Sequence, residues 1–74
     1  MSYEKIDSEK IGERLHGIRT KRGETTETVA KGVGISTSAI TMYETGRRIP
    51  RDEIKIKLAE YYGMPVETIF FATN

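Results

Sequence analysis

Apolar side chains recur along the chain at helical spacing, in short segments that glycine and proline separate. In the first segment, Asp7 or Ser8 can cap a helix that Gly23 can end. Its apolar face is formed at i, i+4 and i+7 by Ile11, Leu15 and Ile18. No segment shows the sustained alternation of a strand, so the pattern predicts an all-α fold.

Two shorter segments follow. Thr25 can cap a second helix that Gly34 ends, and Ser36 can cap a third that Gly46 ends, with only Gly34 and Ile35 between them. The inward positions of these two helices are Val29, Ala30, Val33, Ile40 and Tyr43. Two short helices joined by a glycine turn indicate a helix-turn-helix at about residues 25–46.

A proline and a glycine bound the last two segments. Pro50 places the residues before it in a loop, Gly63 ends a fourth helix, and Pro65 suits the first position of a fifth. Their apolar faces are Ile54, Leu58, Tyr61 and Tyr62, then Val66, Ile69 and Phe70. We predict a compact bundle of five short helices in one domain over residues 8–71, with residues 1–7 and 72–74 flexible.

Composition narrows the class of protein. The 74 residues include no cysteine, which excludes a disulfide framework and a thiolate zinc site and suits a reducing compartment. The net charge is +1. Charged residues stand near the start where a signal peptide needs an apolar run, and no stretch approaches a membrane span. We expect a soluble, cytoplasmic protein with no membrane partner.

Basic residues concentrate in residues 47–57, where Asp52 and Glu53 offset them only in part. The basic residues are Arg47, Arg48, Arg51, Lys55 and Lys57. Such a stretch is either a solvated helix face or a nucleic-acid contact, and charge alone leaves both open.

The outward side of the third helix would carry Thr37, Ser38, Thr41 and Met42. In a helix-turn-helix the second helix of the motif lies in the DNA major groove and the first crosses the backbone. Hydroxyl groups can bond to base edges or phosphates, and a methionine tip can contact a thymine methyl group. The spacing is therefore compatible with DNA binding, although any surface helix can show such residues.

Residues 11–71 resemble the Cro/phage-repressor (Xre-type) helix-turn-helix family, whose fold is a five-helix, lambda-repressor-like bundle. The resemblance rests on joint spacing along most of the chain: Ile11-Gly12-Glu13-Arg14-Leu15, Ile18-Arg19, Gly23, Thr25, Glu27, Val29-Ala30, Gly34-Ile35-Ser36, Ile40, Tyr43-Glu44, Gly46, Pro50, Leu58-Ala59, Gly63, Val66-Glu67 and Ile69-Phe70-Phe71.

The resemblance implies roles for individual residues. Thr37, Ser38 and Met42 occupy the positions from which relatives contact bases, and Thr41 is a weaker candidate. Phosphate contacts are implied for Thr25, Thr26, Thr45, Arg47 and Arg48. A sequence-specific transcriptional regulator of double-stranded DNA is implied, and a repressor by family habit.

The resemblance also pairs Arg19 with Glu44, between helix one and the end of helix three. The pair is either buried and structural or a weak surface contact. The chain departs from the family in having Thr26 for a glutamine, Glu24 for an apolar residue and Gly32 inside helix two, where glycine costs about 1 kcal/mol relative to alanine.

One such module makes few contacts, so we expect a homodimer, at least on DNA, and a palindromic operator. Candidate dimer contacts are Ile56, Phe70 and Phe71, because two adjacent phenylalanines can hardly face the same core. The alternative is that helices four and five are simply buried on two sides.

An enzyme is not expected, because the chain has one histidine, His16, no cysteine and no cluster of catalytic groups. No cofactor, metal or small-molecule ligand is expected either. The competing hypothesis is a helix-turn-helix module that binds protein, such as an antitoxin or an adaptor, with DNA binding secondary.

Overall fold

The computed structural model describes residues 7–72, which form five helices joined by short turns. The helices are α1 Ser8–Lys21, α2 Thr26–Val33, α3 Thr37–Glu44, α4 Asp52–Tyr62 and α5 Val66–Phe70. No strand occurs in these residues, so the predicted all-α fold is confirmed. None of the five helices is long and apolar enough to cross a membrane. The expected flexible ends lie outside the described residues, apart from Asp7 and Ala72.

Short polar side chains begin the first three helices. The Asp7 carboxylate accepts bonds of 3.1 and 3.2 Å from two amides of the first turn of α1. The Thr25 hydroxyl accepts the amide of Thr28 at 3.1 Å, and the Ser36 hydroxyl accepts that of Ala39 at 3.0 Å. Each bond satisfies an amide that has no partner within its helix. Asp7, expected in the flexible end, is therefore part of the folded domain.

Glycines in the left-handed region end α2 and α4, at Gly34 with φ 86° and Gly63 with φ 68°. Both were predicted as helix ends, since this backbone conformation favours glycine. Pro65 differs from its prediction, because it precedes α5 as the N-cap with an extended ψ of 145°. The helix consequently begins at Val66.

Every helix contributes to one apolar core. The fully or nearly buried side chains are Ile11, Leu15, Val29, Ala30, Val33, Ile40, Tyr43, Ile54, Leu58, Ala59, Tyr62, Ile69 and Phe70. Phe70 is only 3% exposed, which corrects its assignment as a dimer contact. The reason is geometric: of the two adjacent rings, Phe70 faces the core, and Phe71 stays at the surface.

α1 and α3 approach so closely that only glycine fits between them. A Cβ atom on Gly12 would lie 2.5 Å from the carbonyl oxygen of Glu44 and 2.7 Å from that of Tyr43. Both distances are well below the van der Waals contact distance of a carbon and an oxygen atom. The atoms concerned belong to the backbone of α3, which cannot easily move. The position of α3 is therefore set directly by α1.

Candidate nucleic-acid interface

The turn between α2 and α3 fixes the relative orientation of the two helices. The amides of Gly34 and Ile35 both donate to the carbonyl oxygen of Ala30, at 2.8 and 3.0 Å. Behind the turn, Val33 and Ile40 are buried in the shared core. The helix-turn-helix lies where the glycine spacing predicted it.

The outward face of α3 carries the four residues expected to contact bases. Ser38 and Thr41 are exposed, and Thr37 and Met42 are half-buried. Thr41 is four residues after Thr37 and three after Ser38, and Met42 is four after Ser38, so the four side chains share one side of the helix. The face presents three hydroxyl groups and a thioether, with no charged group among them. The hydroxyl groups can donate hydrogen bonds to base edges or accept them, and the Met42 thioether can contact thymine methyl groups.

The start of α2 carries two of the residues expected to contact phosphates. Thr25 is exposed, and its hydroxyl lies 2.9 Å from the hydroxyl of Thr28 as well as capping the helix. Thr26 is half-buried, and its hydroxyl donates to the Glu27 carboxylate at 3.4 Å. Free amides and the positive end of the helix dipole make such a terminus favourable for a phosphate.

A rigid turn carries two arginines at the other end of α3. The amides of Arg47 and Arg48 donate to the Met42 carbonyl at 2.9 and 3.3 Å, and Gly46 between the helix and the arginines has a φ of 78°. Both arginine side chains are exposed. Thr45 is exposed too, but its hydroxyl donates to the Thr41 carbonyl at 2.8 Å. The backbone of both arginines is thus fixed at the C-terminal end of α3.

Lys55 does not belong to this basic surface, although the sequence groups it there. Its side chain is buried, with Nζ 3.6 Å from the Asp52 carboxylate and 5.0 Å from the centre of the Phe71 ring. A lysine stem can be buried along apolar surface, so the count of charges along a chain does not give their positions. The cations on this side of the molecule are therefore fewer than the sequence implied.

Arg19 and Glu44 form a bidentate ion pair between α1 and the end of α3. Arg19 Nε and Nη2 donate to the two Glu44 carboxylate oxygens at 2.8 and 2.9 Å, and the side chains are 13% and 7% exposed. The Glu44 carboxylate raises the pKa of the Arg19 guanidinium by accepting its hydrogen bonds, and burial opposes the shift. His16 Nδ1 lies 3.2 Å from Glu44. Of the two arrangements left open, the structure has the buried one.

Two departures from the family pattern are explained by one tyrosine. The Tyr61 hydroxyl donates to the Glu24 carboxylate at 3.0 Å, and the Tyr61 ring lies where a Cβ atom on Gly32 would be. The Glu24 carbonyl also accepts from Arg19 Nη1 at 2.9 Å. Glu24 and Gly32 are therefore matched to Tyr61, which the sequence could not reveal because the three residues lie on different helices and turns.

The remaining dimer candidates are both exposed. Ile56 on α4 and Phe71 after α5 are each 50% exposed, and α4 and α5 pack against each other. Phe71 is held in place, because Arg14 donates to the carbonyls of Ile69 and Ala72 on either side of it, at 2.5 and 3.0 Å. The exposed ring thus projects from a backbone segment that Arg14 holds by two hydrogen bonds.

Comparison with known proteins identifies the class that this fold and surface define. Residues 10–69 match the model of a family described as a helix-turn-helix domain. The cryptic phage CTXphi transcriptional repressor RstR of Vibrio cholerae is 34% identical over 53 residues, which are 72% of this chain and 48% of that protein. The chain thus spans about half the length of this curated relative.

Solved structures of known proteins also match the fold of this chain. The restriction-modification controller protein C.AhdI from Aeromonas hydrophila matches with a TM-score of 0.82 at 31% identity, over 86% of this chain and 97% of that one. The BldD DNA-binding domain of S. venezulae matches with a TM-score of 0.75 at 26% identity, over 86% and 96%. The chain belongs to the helix-turn-helix family, in its Cro/phage-repressor (Xre) branch.

Proposed function

We propose that the chain is a sequence-specific regulator of transcription that binds double-stranded DNA and inserts α3 into the major groove. The observation that carries the proposal is the uncharged, hydrogen-bonding face of α3, on a helix that packs against α2 and is followed directly by Arg47 and Arg48. Base-reading groups in the middle and phosphate-binding groups on both sides are the arrangement that groove recognition needs.

The dimensions support this placement. An α-helix with its side chains is about 10–12 Å across, and the major groove is about 12 Å wide. Thr37, Ser38, Thr41 and Met42 would then face base edges, while Thr25, Thr26, Thr45, Arg47 and Arg48 contact the bordering phosphates. None of the four base-facing residues is of a type that can make a bidentate base contact. Discrimination between DNA sequences would therefore rest on methyl contacts, water and DNA shape.

Repression is the mode of regulation that we infer. A domain of this size can act most simply by occupying a promoter. One relative is named as a transcriptional repressor and another as a controller protein of restriction and modification. The operator would be palindromic and occupied by two copies of the chain, with half-sites about one helical turn apart.

The second copy would pair through Ile56 and Phe71. Ile56 lies on α4 and Phe71 directly follows α5, which packs against α4, and a continuous apolar surface formed by such exposed side chains would be typical of an interaction site. Phe70 takes no part, because it is buried in the core of its own chain. A symmetric pairing of this kind uses the same surface on both copies.

The experiment is a titration of the purified protein with DNA from the upstream region of its own gene, from about 50 to 200 mM salt. Arg47→Ala/Arg48→Ala is compared with the wild type, and Lys21→Ala/Lys57→Ala removes the same charge from α1 and α4 as a control. We expect preference over random DNA and a steep salt slope, which flattens by roughly two units in the arginine variant alone.

Binding no tighter than to random DNA would contradict the proposal and favour the protein-binding alternative. An equal flattening in both double variants would show that net charge, and not the placement of Arg47 and Arg48, determines binding. Thermal unfolding of each variant verifies that the fold is intact.

A further inference from the structure

Tyr61 on α4 connects that helix to the turn between α1 and α2. Its hydroxyl donates to the Glu24 carboxylate at 3.0 Å, although the two residues are 37 positions apart. Partial desolvation, together with this hydrogen bond, raises the pKa of the Tyr61 phenol, so at neutral pH the hydroxyl keeps the proton that it donates. The ring packs directly on α2, because it lies where a Cβ atom on Gly32 would be.

Glu24 is held through both its backbone and its side chain. Its amide donates to the Arg19 carbonyl at 3.1 Å, and its carbonyl accepts from Arg19 Nη1 at 2.9 Å. Its carboxylate accepts from Tyr61 and, at 3.2 Å, from Arg22 Nη2. The Arg22 guanidinium also lies 5.5 Å from the centre of the Tyr61 ring, within the range of a cation–π contact. Hydrogen bonds from α1, from the turn and from α4 therefore meet at this one residue.

Glu24 stands directly before the cap of α2. The Thr25 hydroxyl caps that helix by accepting the Thr28 amide, and in the proposed complex Thr25 and Thr26 contact phosphate. A carboxylate beside a phosphate contact opposes binding through its charge. In the structure this carboxylate is instead engaged by Tyr61 and Arg22. An apolar side chain at position 24, as in the family pattern, could pack but could not accept the bond from Tyr61.

We propose that Tyr61 and Glu24 are positioning residues for DNA binding, whose hydrogen bond holds the start of α2 in the orientation in which it contacts phosphate. The inference rests on the proposed function, in which neither residue touches DNA. Without the bond, the turn before α2 would adopt further conformations. The apparent affinity would then fall in proportion to the fraction of molecules that keep the binding conformation.

The first test uses two variants of Glu24 that remove the same charge. Glu24→Gln keeps an oxygen that can accept from Tyr61, whereas Glu24→Ala keeps none. We expect Glu24→Ala to weaken binding to the upstream DNA about three- to tenfold, the range of one net hydrogen bond. Glu24→Gln should bind at least as tightly as the wild type, because the repulsion is removed and the bond is kept. Equal affinity of the two variants, whether above or below that of the wild type, would overturn the proposal.

Tyr61→Phe tests the same bond from α4, because it removes the hydroxyl and keeps the ring against Gly32. Its control is Tyr62→Phe, which removes the hydroxyl of the adjacent tyrosine, whose ring lies in the apolar core. We expect Tyr61→Phe to weaken binding as Glu24→Ala does and the control to leave it unchanged. The double variant Glu24→Ala/Tyr61→Phe should lose no more than either single variant, because both remove one bond. Additive losses, or full affinity of Tyr61→Phe, would contradict the positioning role.

Amide hydrogen exchange without DNA separates positioning from a general loss of stability. The Thr28 amide is capped by the Thr25 hydroxyl at 3.1 Å, and the Ala39 amide by the Ser36 hydroxyl at 3.0 Å. In Tyr61→Phe we expect exchange measured by NMR to become faster at Thr28 and to stay unchanged at Ala39. The same acceleration at both amides would show general destabilisation and overturn the proposal.

Failure of this inference differs from failure of the proposed function. If the wild type prefers its upstream DNA over random DNA, but Glu24→Ala and Tyr61→Phe bind as tightly as the wild type, only the positioning role is wrong. If the wild type binds its upstream DNA no tighter than random DNA, both are wrong.

Discussion

Among single residues, Glu44 links the end of α3 to α1 through its ion pair with Arg19. Replacing it by alanine leaves the Arg19 guanidinium, 13% exposed, without its bidentate partner. Breaking a buried pair costs about 3–5 kcal/mol, whereas an exposed pair is worth under about 1 kcal/mol. We expect Glu44→Ala to lower the free energy of unfolding in urea by about 3–5 kcal/mol. Glu53→Ala, which removes a side chain that is 68% exposed, should lower it by under about 1 kcal/mol. Equal losses would contradict a structural role for the pair.

Tyr62 gives the protein a pH dependence in the alkaline range. Burial raises the pKa of its phenol from 10.0 to about 12, so the folded state holds the neutral form that the unfolded chain loses earlier. The stability that this provides is complete below about pH 10 and is lost as the pH rises to about 12. We expect wild type to lose up to about 3 kcal/mol over this range relative to Tyr62→Phe. The free energy of unfolding of both proteins is measured by denaturant titration at each pH. The same pH dependence in the two proteins would contradict the raised pKa of Tyr62.

Side chains were predictable from the sequence where their partners are local or where the family pattern pairs them. Arg19 and Glu44 were paired by resemblance, although burial of the pair needed the structure. Arg14 was not predictable as a link between helices, because its acceptors are backbone carbonyls 55 and 58 residues away. Lys55 was assigned to the basic surface because charge along the chain does not report burial.

At the scale of helices, two glycines of α1 should respond in opposite ways to alanine. A Cβ at Gly12 would overlap the carbonyl of Glu44, whereas a Cβ at Gly17 meets nothing within 4 Å. We expect Gly17→Ala to stabilise the protein by about 0.5–1 kcal/mol through helix propensity. Gly12→Ala should destabilise it by about 1–3 kcal/mol or more, because it forces α1 and α3 apart. Chemical denaturation measures both, and stabilisation by both would contradict the close contact.

Helix bounds were the most predictable feature of the fold. The caps Thr25 and Ser36 and the ends Gly34 and Gly63 act locally, so the sequence is enough to place them. Pro65 was placed one position too far into its helix, since its φ suits both the cap and the first turn and only ψ distinguishes them. Packing between helices, as at Gly32 beneath Tyr61, has no local signal.

For the whole molecule, the central prediction is dimerisation through Ile56 and Phe71. We expect Ile56→Ser/Phe71→Ser to leave folding intact, because each side chain is 50% exposed, and to weaken binding to a two-half-site operator more than to a single half-site. Gel-shift titrations on both DNAs measure the difference, and sedimentation reports association without DNA. Equal effects on the two DNAs would contradict a dimer contact at this surface.

The operator itself is the part that neither sequence nor fold determines. Uncharged residues such as Ser38 and Met42 can contact several base combinations, and in the proposed dimer the approach of α3 to the groove would depend on how the two copies pair. The resemblance implied the positions that are proposed to contact bases, but discrimination among bases is a property of the complex.

Groove reading by α3 is tested by selecting bound duplexes from a random DNA pool with wild type, Met42→Ala and Ser38→Ala. We expect an enriched inverted repeat with half-sites about 10–10.5 base pairs apart. Each variant should relax the preference at one position of each half-site and leave the others unchanged. Enrichment of no sequence by the wild type, or an identical repeat with all three proteins, would contradict groove reading by α3.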